Sequence, residues 1–183
     1  MNICVFGASR DELDPGYFAM SEALGRAMGE RGHALIFGGG AHGLMGAVAR
    51  GCAETGADIV SVVPYFFNAP GILWENPTEL IRMDTLNERK TIMEDRADAF
   101  IALPGGPGTF DEIFEAITMH NLGLHQKPVA FLDYDGYWQP AIALLEKSIE
   151  RGFAAPTLRE KYGYFTDPGE CLAYLEREAR HDL

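Results

Sequence analysis

The chain has 183 residues, 47% of them hydrophobic, and its formal net charge is −12 at pH 7. This length fits one α/β domain, residues 1–183, with a substantial core. The negative charge argues against non-specific binding of nucleic acid, which needs a basic surface. The first residues lack the basic lead of a signal peptide, and no apolar run is long enough to span a bilayer. We therefore expect a cytoplasmic protein with neither nucleic acid nor membrane as a partner.

Short apolar runs alternate along the chain with longer helical stretches. This alternation predicts an α/β fold, a single Rossmann-like three-layer domain whose mostly parallel sheet is flanked by helices. The runs at 35–37 and 99–103 are continuously apolar, as in strands buried on both faces. The predicted strands are 2–6, 33–37, 58–63, 79–83, 98–103, 128–132 and a weak one at 164–166. The predicted helices are 16–31, 43–56, 85–97, 109–123, 137–151 and 168–179.

The cysteines and histidines indicate neither a disulfide framework nor a metal site. Cys4, Cys52 and Cys171 lie far apart in apolar segments and form no Cys-x-x-Cys pair, which favours reduced thiols in the cytoplasm. The five histidines show no metal-ligand spacing. We expect no metal and no other cofactor.

Three polar or glycine-rich turns follow predicted strands, at residues 7–10, 38–43 and 104–109. In parallel sheets ligands bind at the carboxyl ends of the strands, so these turns are expected to converge on one nucleotide-sized site. The segment 64–78 carries three prolines, a glycine and bulky side chains. Its length between two strands is typical of a functional or interface loop.

The strongest local motif is Pro-Gly-Gly-Pro-Gly-Thr-Phe-Asp-Glu at 104–112. Glycines let the backbone approach a ligand closely, and the helix that follows offers free N–H groups and a positive dipole end, so the motif predicts a phosphate cradle. An ordinary tight turn between strand and helix is the alternative.

Glu112 also has two interpretations. With Thr109 as N-cap it completes a capping box, which would be purely structural. On a helical wheel the core face consists of Phe110, Ile113, Phe114 and Ile117, so Glu112 points away from the core, towards the groove or a partner. We favour a functional role for this carboxylate.

Arg89 and Lys90 lie at the margins of the inward stripe that the wheel predicts for helix 85–97, which is formed by Leu86, Met93 and Ala97. Two cations beside a buried stripe require a counter-anion, because burying an unpaired charge is costly. A phosphate, or the acidic pair Asp111 and Glu112, would supply it.

The segment 38–43 matches Gly-x-Gly-x-x-Gly between a strand and a helix. A dinucleotide site also needs an acidic residue at the carboxyl end of the next strand, where this chain has Val62-Val63-Pro64. The motif therefore predicts close backbone approach to a nucleotide and supports NAD only weakly.

Together these motifs resemble the Lonely Guy family, whose members are cytokinin riboside 5′-monophosphate phosphoribohydrolases. The family motif, Pro-Gly-Gly-x-Gly-Thr-x-x-Glu, is complete at 104–112, and the upstream Arg-Lys pair is present. The resemblance extends from the first strand to about Pro128. Its segments are 38–40, 43–46, 86–90, 97–106, 108–112 and 122–128.

The resemblance implies that Arg89 and Glu112 form the catalytic pair. It also implies that the family's usual dimer, with active sites near the subunit interface, holds here. Proteins of the same fold once labelled lysine decarboxylases need a pyridoxal phosphate site, and none of the four lysines sits in a recognisable one. The implied nucleotide-site residues are Ser9, Gly38, Gly39, Lys90, Gly105, Gly106, Pro107, Gly108, Thr109, Phe110, Asp111 and Thr118.

The chain departs from the family pattern at 86–87, at Pro107 and at 119–121, where the family has Met-His, an aromatic residue and Trp-Ala-Gln. These departures leave base preference open. We expect metal-independent hydrolysis of AMP or N6-substituted AMP to a free base and ribose 5-phosphate by a homodimer. The alternatives are a non-catalytic nucleotide or molybdopterin-type cofactor carrier, and a broader nucleotide-salvage hydrolase.

Overall fold

The computed structural model of the protein describes residues 1–180. The strands are β1 (Asn2–Phe6), β2 (Ala34–Phe37), β3 (Ile59–Pro64), β4 (Glu79–Met83), β5 (Ala99–Ala102), β6 (Val129–Leu132) and β7 (Gly163–Phe165). The helices are α1 (Pro15–Glu30), α2 (Gly43–Glu54), α3 (Leu86–Arg96), α4 (Pro107–Asn121), α5 (Gln139–Glu150) and α6 (Pro168–Ala179), and a 3₁₀ helix spans Pro156–Lys161. Each predicted strand and helix is confirmed, and the predicted ends agree with the observed ones to within two residues.

The strands form one sheet in the order β4-β3-β2-β1-β5-β6-β7. Every pairing between these named strands is parallel. The order reverses at β1, whose neighbours are β2 and β5, so the turns after these three strands meet at the carboxyl edge. This is the position where open α/β sheets bind ligands.

Helices cover both faces of the sheet, and alternate side chains of each strand enter two separate cores. Ile3 and Val5 of β1 pack with α1, α2 and α6, whereas Cys4 and Phe6 pack with α3, α4 and the 3₁₀ helix. The predicted three-layer Rossmann-like fold is therefore confirmed. All three cysteines are buried and free within the described residues, and no helix among residues 1–180 is long and apolar enough to cross a membrane.

Two helices carry apolar residues whose predicted burial is wrong. Leu86 at the start of α3 is 50% exposed, because α3 packs on the sheet through Met93 near its opposite end. In α4, Ile113 and Ile117 are buried as expected, but Phe110 is 37% exposed. The amino-terminal turns of both helices therefore project beyond the sheet, beside the carboxyl edge.

Candidate active site

A pocket of about 510 Å³ opens at the carboxyl edge of the sheet, a volume typical of small-molecule sites. It is lined by residues 7–10 after β1, by Gly38 and Gly40 after β2, and by residues 106–109 after β5. The prediction that these three turns converge is confirmed. The remaining lining residues are Met45, Phe67, Ile72, Leu73, Arg89 and Glu112.

The turn after β5 becomes the first turn of α4, with Gly106 as the N-cap residue. Within the described part of the chain no side chain caps this end, and Pro107 has no N–H, so the amides of Gly108 and Thr109 lack helical partners. A β-carbon at Gly106 or Gly108 would meet no atom of residues 1–180 within 4 Å. The positive end of the helix dipole thus faces open space, a setting that favours an anion.

The predicted helix start at Thr109 is wrong. The helix begins at Pro107, because the fixed φ of proline suits the first helical position. Thr109 is buried in the first turn, and a β-carbon at position 105 would lie 2.1 Å from its Oγ1, so Gly105 is required there. The Tyr137 hydroxyl donates a hydrogen bond to the Gly105 carbonyl and holds this turn from outside. The capping-box explanation of Glu112 is therefore excluded.

Glu112 instead forms an ion pair with Arg89, across the gap between α4 and α3. Arg89 Nη1 lies 3.3 Å from Glu112 Oε1, and the two side chains are only 15% and 13% exposed. Arg89 Nε also donates to the Val62 carbonyl at 3.2 Å. A β-carbon at position 38 would lie 1.8 Å from Arg89 Nη2, so Gly38 leaves room for the guanidinium. This pair lines the pocket beside the open end of α4.

Burial raises the pKa of Glu112 to about 7, and the positive charge of Arg89 offsets part of that rise. The negative charge of Asp111 raises it further. A carboxyl group of this kind exchanges its proton near neutral pH, which is the range in which a general acid or base is most effective. The pocket therefore presents a proton-exchanging group beside an anion-favouring helix end.

Lys90, the next residue along α3, points to the other side of α4. Its Nζ lies 3.0 Å from Asp111 Oδ2 and 2.6 Å from Glu115 Oε2, and hydrogen bonding to Glu115 is the main cause that raises its pKa. The predicted counter-anions of the two cations are therefore carboxylates. Glu112 pairs with Arg89, and Asp111 pairs with Lys90. Thr118 lies one turn beyond and its hydroxyl donates to the Phe114 carbonyl.

The segment between β3 and β4 closes the pocket on the side of β2. Hydrogen bonds of 2.8 Å join the Ala41 amide to the Ile72 carbonyl and the Trp74 amide to the Gly39 carbonyl. Gly39 has a φ of 73°, and a β-carbon there would lie 2.3 Å from a methyl group of Val63, so glycine is required at this position. This segment, predicted to be a functional or interface loop, contributes Phe67, Ile72 and Leu73 to the lining.

The structure divides the sequence-predicted site residues into three groups. Gly39 and Gly105 belong to the turns but do not line the pocket, and Lys90, Phe110, Asp111 and Thr118 lie outside it on the outer side of α4. The sequence did not identify five other lining residues, namely Arg10, Met45, Phe67, Ile72 and Leu73, although Arg10 lies in one of the predicted site turns. The third group consists of the predicted residues that do line the pocket. They are Ser9, Gly38, Arg89, Gly106, Pro107, Gly108, Thr109 and Glu112.

The fold and this pocket define a Rossmann-like α/β protein with a pocket at the carboxyl edge of its sheet. A family profile described as "Possible lysine decarboxylase" matches residues 45–175. Cytokinin riboside 5′-monophosphate phosphoribohydrolase LOG2 of Arabidopsis thaliana is 37% identical over 98% of this chain and 85% of its own length. Cytokinin riboside 5′-monophosphate phosphoribohydrolase LOG7 of the same plant is 38% identical over 95% of this chain and 80% of its own length. The chain therefore belongs to the Lonely Guy family.

Solved structures agree with the fold. The molybdenum cofactor carrier protein from Chlamydomonas reinhardtii superimposes with a TM-score of 0.74, with 21% identity and 98% of each chain covered. At this identity the likeness concerns the fold alone, and the same α/β architecture thus occurs in a carrier protein and in the Lonely Guy family.

Proposed function

We propose that this protein hydrolyses the N-glycosidic bond of AMP or an N6-substituted AMP to a free base and ribose 5-phosphate. The observation that carries the proposal is the nearly buried Arg89–Glu112 pair beside the uncapped end of α4 in one pocket. Family membership supports the reaction class, because the curated relatives are named as phosphoribohydrolases of cytokinin riboside 5′-monophosphates.

The 5′-phosphate would bind at the turn 106–109, where the amides of Gly108 and Thr109 have no helical partners. The phosphate does not react, so its binding energy is available to hold the ribose in place next to Glu112. The open space at Gly106 and Gly108 allows this approach without rearrangement of the turn.

In the reaction, the bond between ribose C1′ and the base nitrogen breaks with its electron pair moving to the base. Positive charge develops on the ribose ring, and the ionised form of Glu112 stabilises it and accepts a proton from the attacking water. The water oxygen forms the new bond to C1′, Glu112 passes the proton it has taken to solvent, and the departing base takes one proton from solvent, so the proton count closes. Arg89 orients the carboxylate and keeps part of it ionised at neutral pH.

The base would face the opposite half of the pocket, whose lining is apolar. Met45 of α2 and Phe67, Ile72 and Leu73 of the β3–β4 segment form this half. Apolar walls suit the flat face of a purine and a hydrocarbon N6 substituent. This half of the pocket supports adenine nucleotides over nucleotides that need many polar contacts to the base.

The test incubates the pure protein with AMP, N6-substituted AMPs and pyrimidine monophosphates, and measures free base by chromatography. Glu112→Gln and Arg89→Gln should each lower kcat by about 100-fold or more while the protein stays folded. The exposed ion pair Arg96–Glu79 provides matched controls, because Arg96→Gln alters the same helix as Arg89→Gln and Glu79→Gln removes one carboxylate. Normal turnover in both pocket variants would remove the pair from the mechanism.

A carrier of nucleotides or of a molybdopterin-type cofactor is the second candidate, because a molybdenum cofactor carrier shares the fold. A carrier does not need a carboxyl group of raised pKa beside an anion site, because the ionised carboxylate would repel a bound phosphate. Micromolar binding of AMP without release of base would favour the carrier. A panel of substrates also separates a cytokinin-selective enzyme from a general nucleotide-salvage hydrolase.

Lysine decarboxylation, the description attached to the family profile, is not supported by the lysines. The chemistry needs a lysine that gives up its proton to form a Schiff base. Lys90 is held by Asp111 and Glu115, which raise its pKa, and it lies outside the pocket. Lys127 donates to the Glu94 carbonyl at 2.6 Å on the amino side of the sheet.

We also propose that the protein is a homodimer in the cytoplasm. Leu122, the C-cap residue of α4, and Leu124 just beyond it are 65% and 64% exposed, and neighbouring exposed apolar side chains of this kind favour a protein interface. Three buried free cysteines fit a reducing compartment. Sedimentation equilibrium of the protein and of Leu122→Glu tests the dimer, which the variant should weaken.

A further inference from the structure

The proposed substrate carries two negative charges on its phosphate, and the pocket must balance them next to a carboxylate. Among residues 1–180, the ionisable side chains that line the pocket are Arg10, Arg89 and Glu112. Arg89 is engaged by Glu112 at 3.3 Å, so this pair contributes no net charge when both are ionised. The protein as a whole carries −12, which repels an anionic ligand. A lining cation that Glu112 does not neutralise would therefore add to the positive potential of the α4 amides.

Arg10 is the one lining cation whose charge is not already used. Within the described residues it makes no ion pair and no side-chain hydrogen bond, and its side chain is exposed at the pocket. Its neighbour Asp11 forms no ion pair with it, because the Asp11 carboxylate is turned towards the Gly43 amide at 2.8 Å and His42 Nδ1 at 2.7 Å. The carboxylate nearest in sequence thus has other partners.

The turn that carries Arg10 is packed between the two glycine-rich turns. The Ala8 amide donates to the Pro104 carbonyl at 3.0 Å, and the Leu44 amide donates to the Ala8 carbonyl at 2.8 Å. Gly43 is required by this packing, since a β-carbon there would lie 2.3 Å from the Ala8 oxygen. The backbone that carries Arg10 is therefore fixed to the start of the anion-favouring turn.

We propose that Arg10 binds the 5′-phosphate of the substrate and supplies the positive charge that selects a nucleotide over the unphosphorylated nucleoside. This inference rests on the nucleotide ligand of the proposed function, but it does not depend on catalysis. The guanidinium offers forked donors that match phosphate oxygens, and together with the free amides of α4 it clamps the phosphomonoester from two sides. Arg89 then stays paired with Glu112, and this pair acts on the ribose.

Calorimetric titration with ribose 5-phosphate tests the inference without turnover, because this product has the phosphate and no base to lose. Arg10→Gln should weaken its binding about 10- to 100-fold, and Arg10→Lys should weaken it less. Arg151→Gln is the matched control, since Arg151 is an exposed arginine at the C-cap of α5 and does not line the pocket. Unchanged affinity in Arg10→Gln, or equal loss in Arg151→Gln, would overturn the role of Arg10.

A second readout compares AMP with adenosine. Arg10→Gln should raise the KM or Kd for AMP and leave the Kd for adenosine unchanged, whereas a merely structural role would weaken both ligands together. The two proposals fail differently. A wild-type protein that binds AMP through Arg10 but releases no base refutes the hydrolase alone, and one that releases base with the same KM in Arg10→Gln refutes the inference alone.

Discussion

Replacing Glu112 by glutamine should change how the stability of the protein depends on pH. In the folded protein burial raises the pKa of Glu112 to about 7, whereas the ordinary value is 4.5. The protonated carboxyl is therefore the form that folding favours. Its contribution to stability is fully present below pH 4.5 and is lost as the pH rises towards 7, because the folded state must then hold a nearly buried negative charge.

The size of the effect follows from the two pKa values. At about 1.36 kcal/mol per pKa unit, the gap between 4.5 and about 7 corresponds to about 3 kcal/mol. Roughly 2 kcal/mol of this loss falls between pH 5.5 and 8.0 by the same linkage relation. That interval also stays above the sequence pI of about 4.7, near which solubility is lowest.

Urea unfolding of wild type and Glu112→Gln, followed by the fluorescence of the buried Trp138, measures the difference at each pH. Glutamine keeps an oxygen that can accept from Arg89, so the comparison isolates the titration. The wild type should lose about 2 kcal/mol relative to the variant from pH 5.5 to 8.0. Glu160→Gln is the control, because it removes one negative charge at an exposed position. All three proteins are unfolded at the same protein concentration. A difference between wild type and Glu112→Gln that stays constant with pH would refute the raised pKa.

Three further predictions concern the pocket. Arg89→Gln should move the acid limb of the turnover profile to higher pH, because Arg89 lowers the pKa of Glu112, and a pH series of kcat/KM measures the shift. Gly108→Ala should weaken nucleotide binding in titration calorimetry, since its methyl would enter open pocket space, without lowering the melting temperature. His42→Ala should speed amide hydrogen exchange at 65–73, because His42 Nε2 is hydrogen-bonded to the Gly71 carbonyl at 2.9 Å; unchanged exchange there would contradict this contact.

The order of strands and helices could be predicted closely because it depends on local properties. Runs such as Phe100-Ile101-Ala102 are apolar over a strand's length and bounded by turn residues, so their burial follows from composition. The three glycine-rich turns could be placed at one edge for a general reason, since parallel strands all end on the same side. The exact start of α4 could not be predicted, because Thr109 as N-cap and Pro107 as the first helical residue are both acceptable helix beginnings.

The sequence predicted an arginine, a lysine and a glutamate next to an anion-favouring turn, and the arginine and the glutamate do line the pocket. Their partners were decided only by tertiary structure. Arg89 and Glu112 are 23 positions apart, and whether they meet depends on how α3 and α4 are rotated against each other on the sheet. The same rotation turns Lys90 away from the pocket. Pairings between helices follow from packing of whole surfaces, which no local stretch of sequence contains.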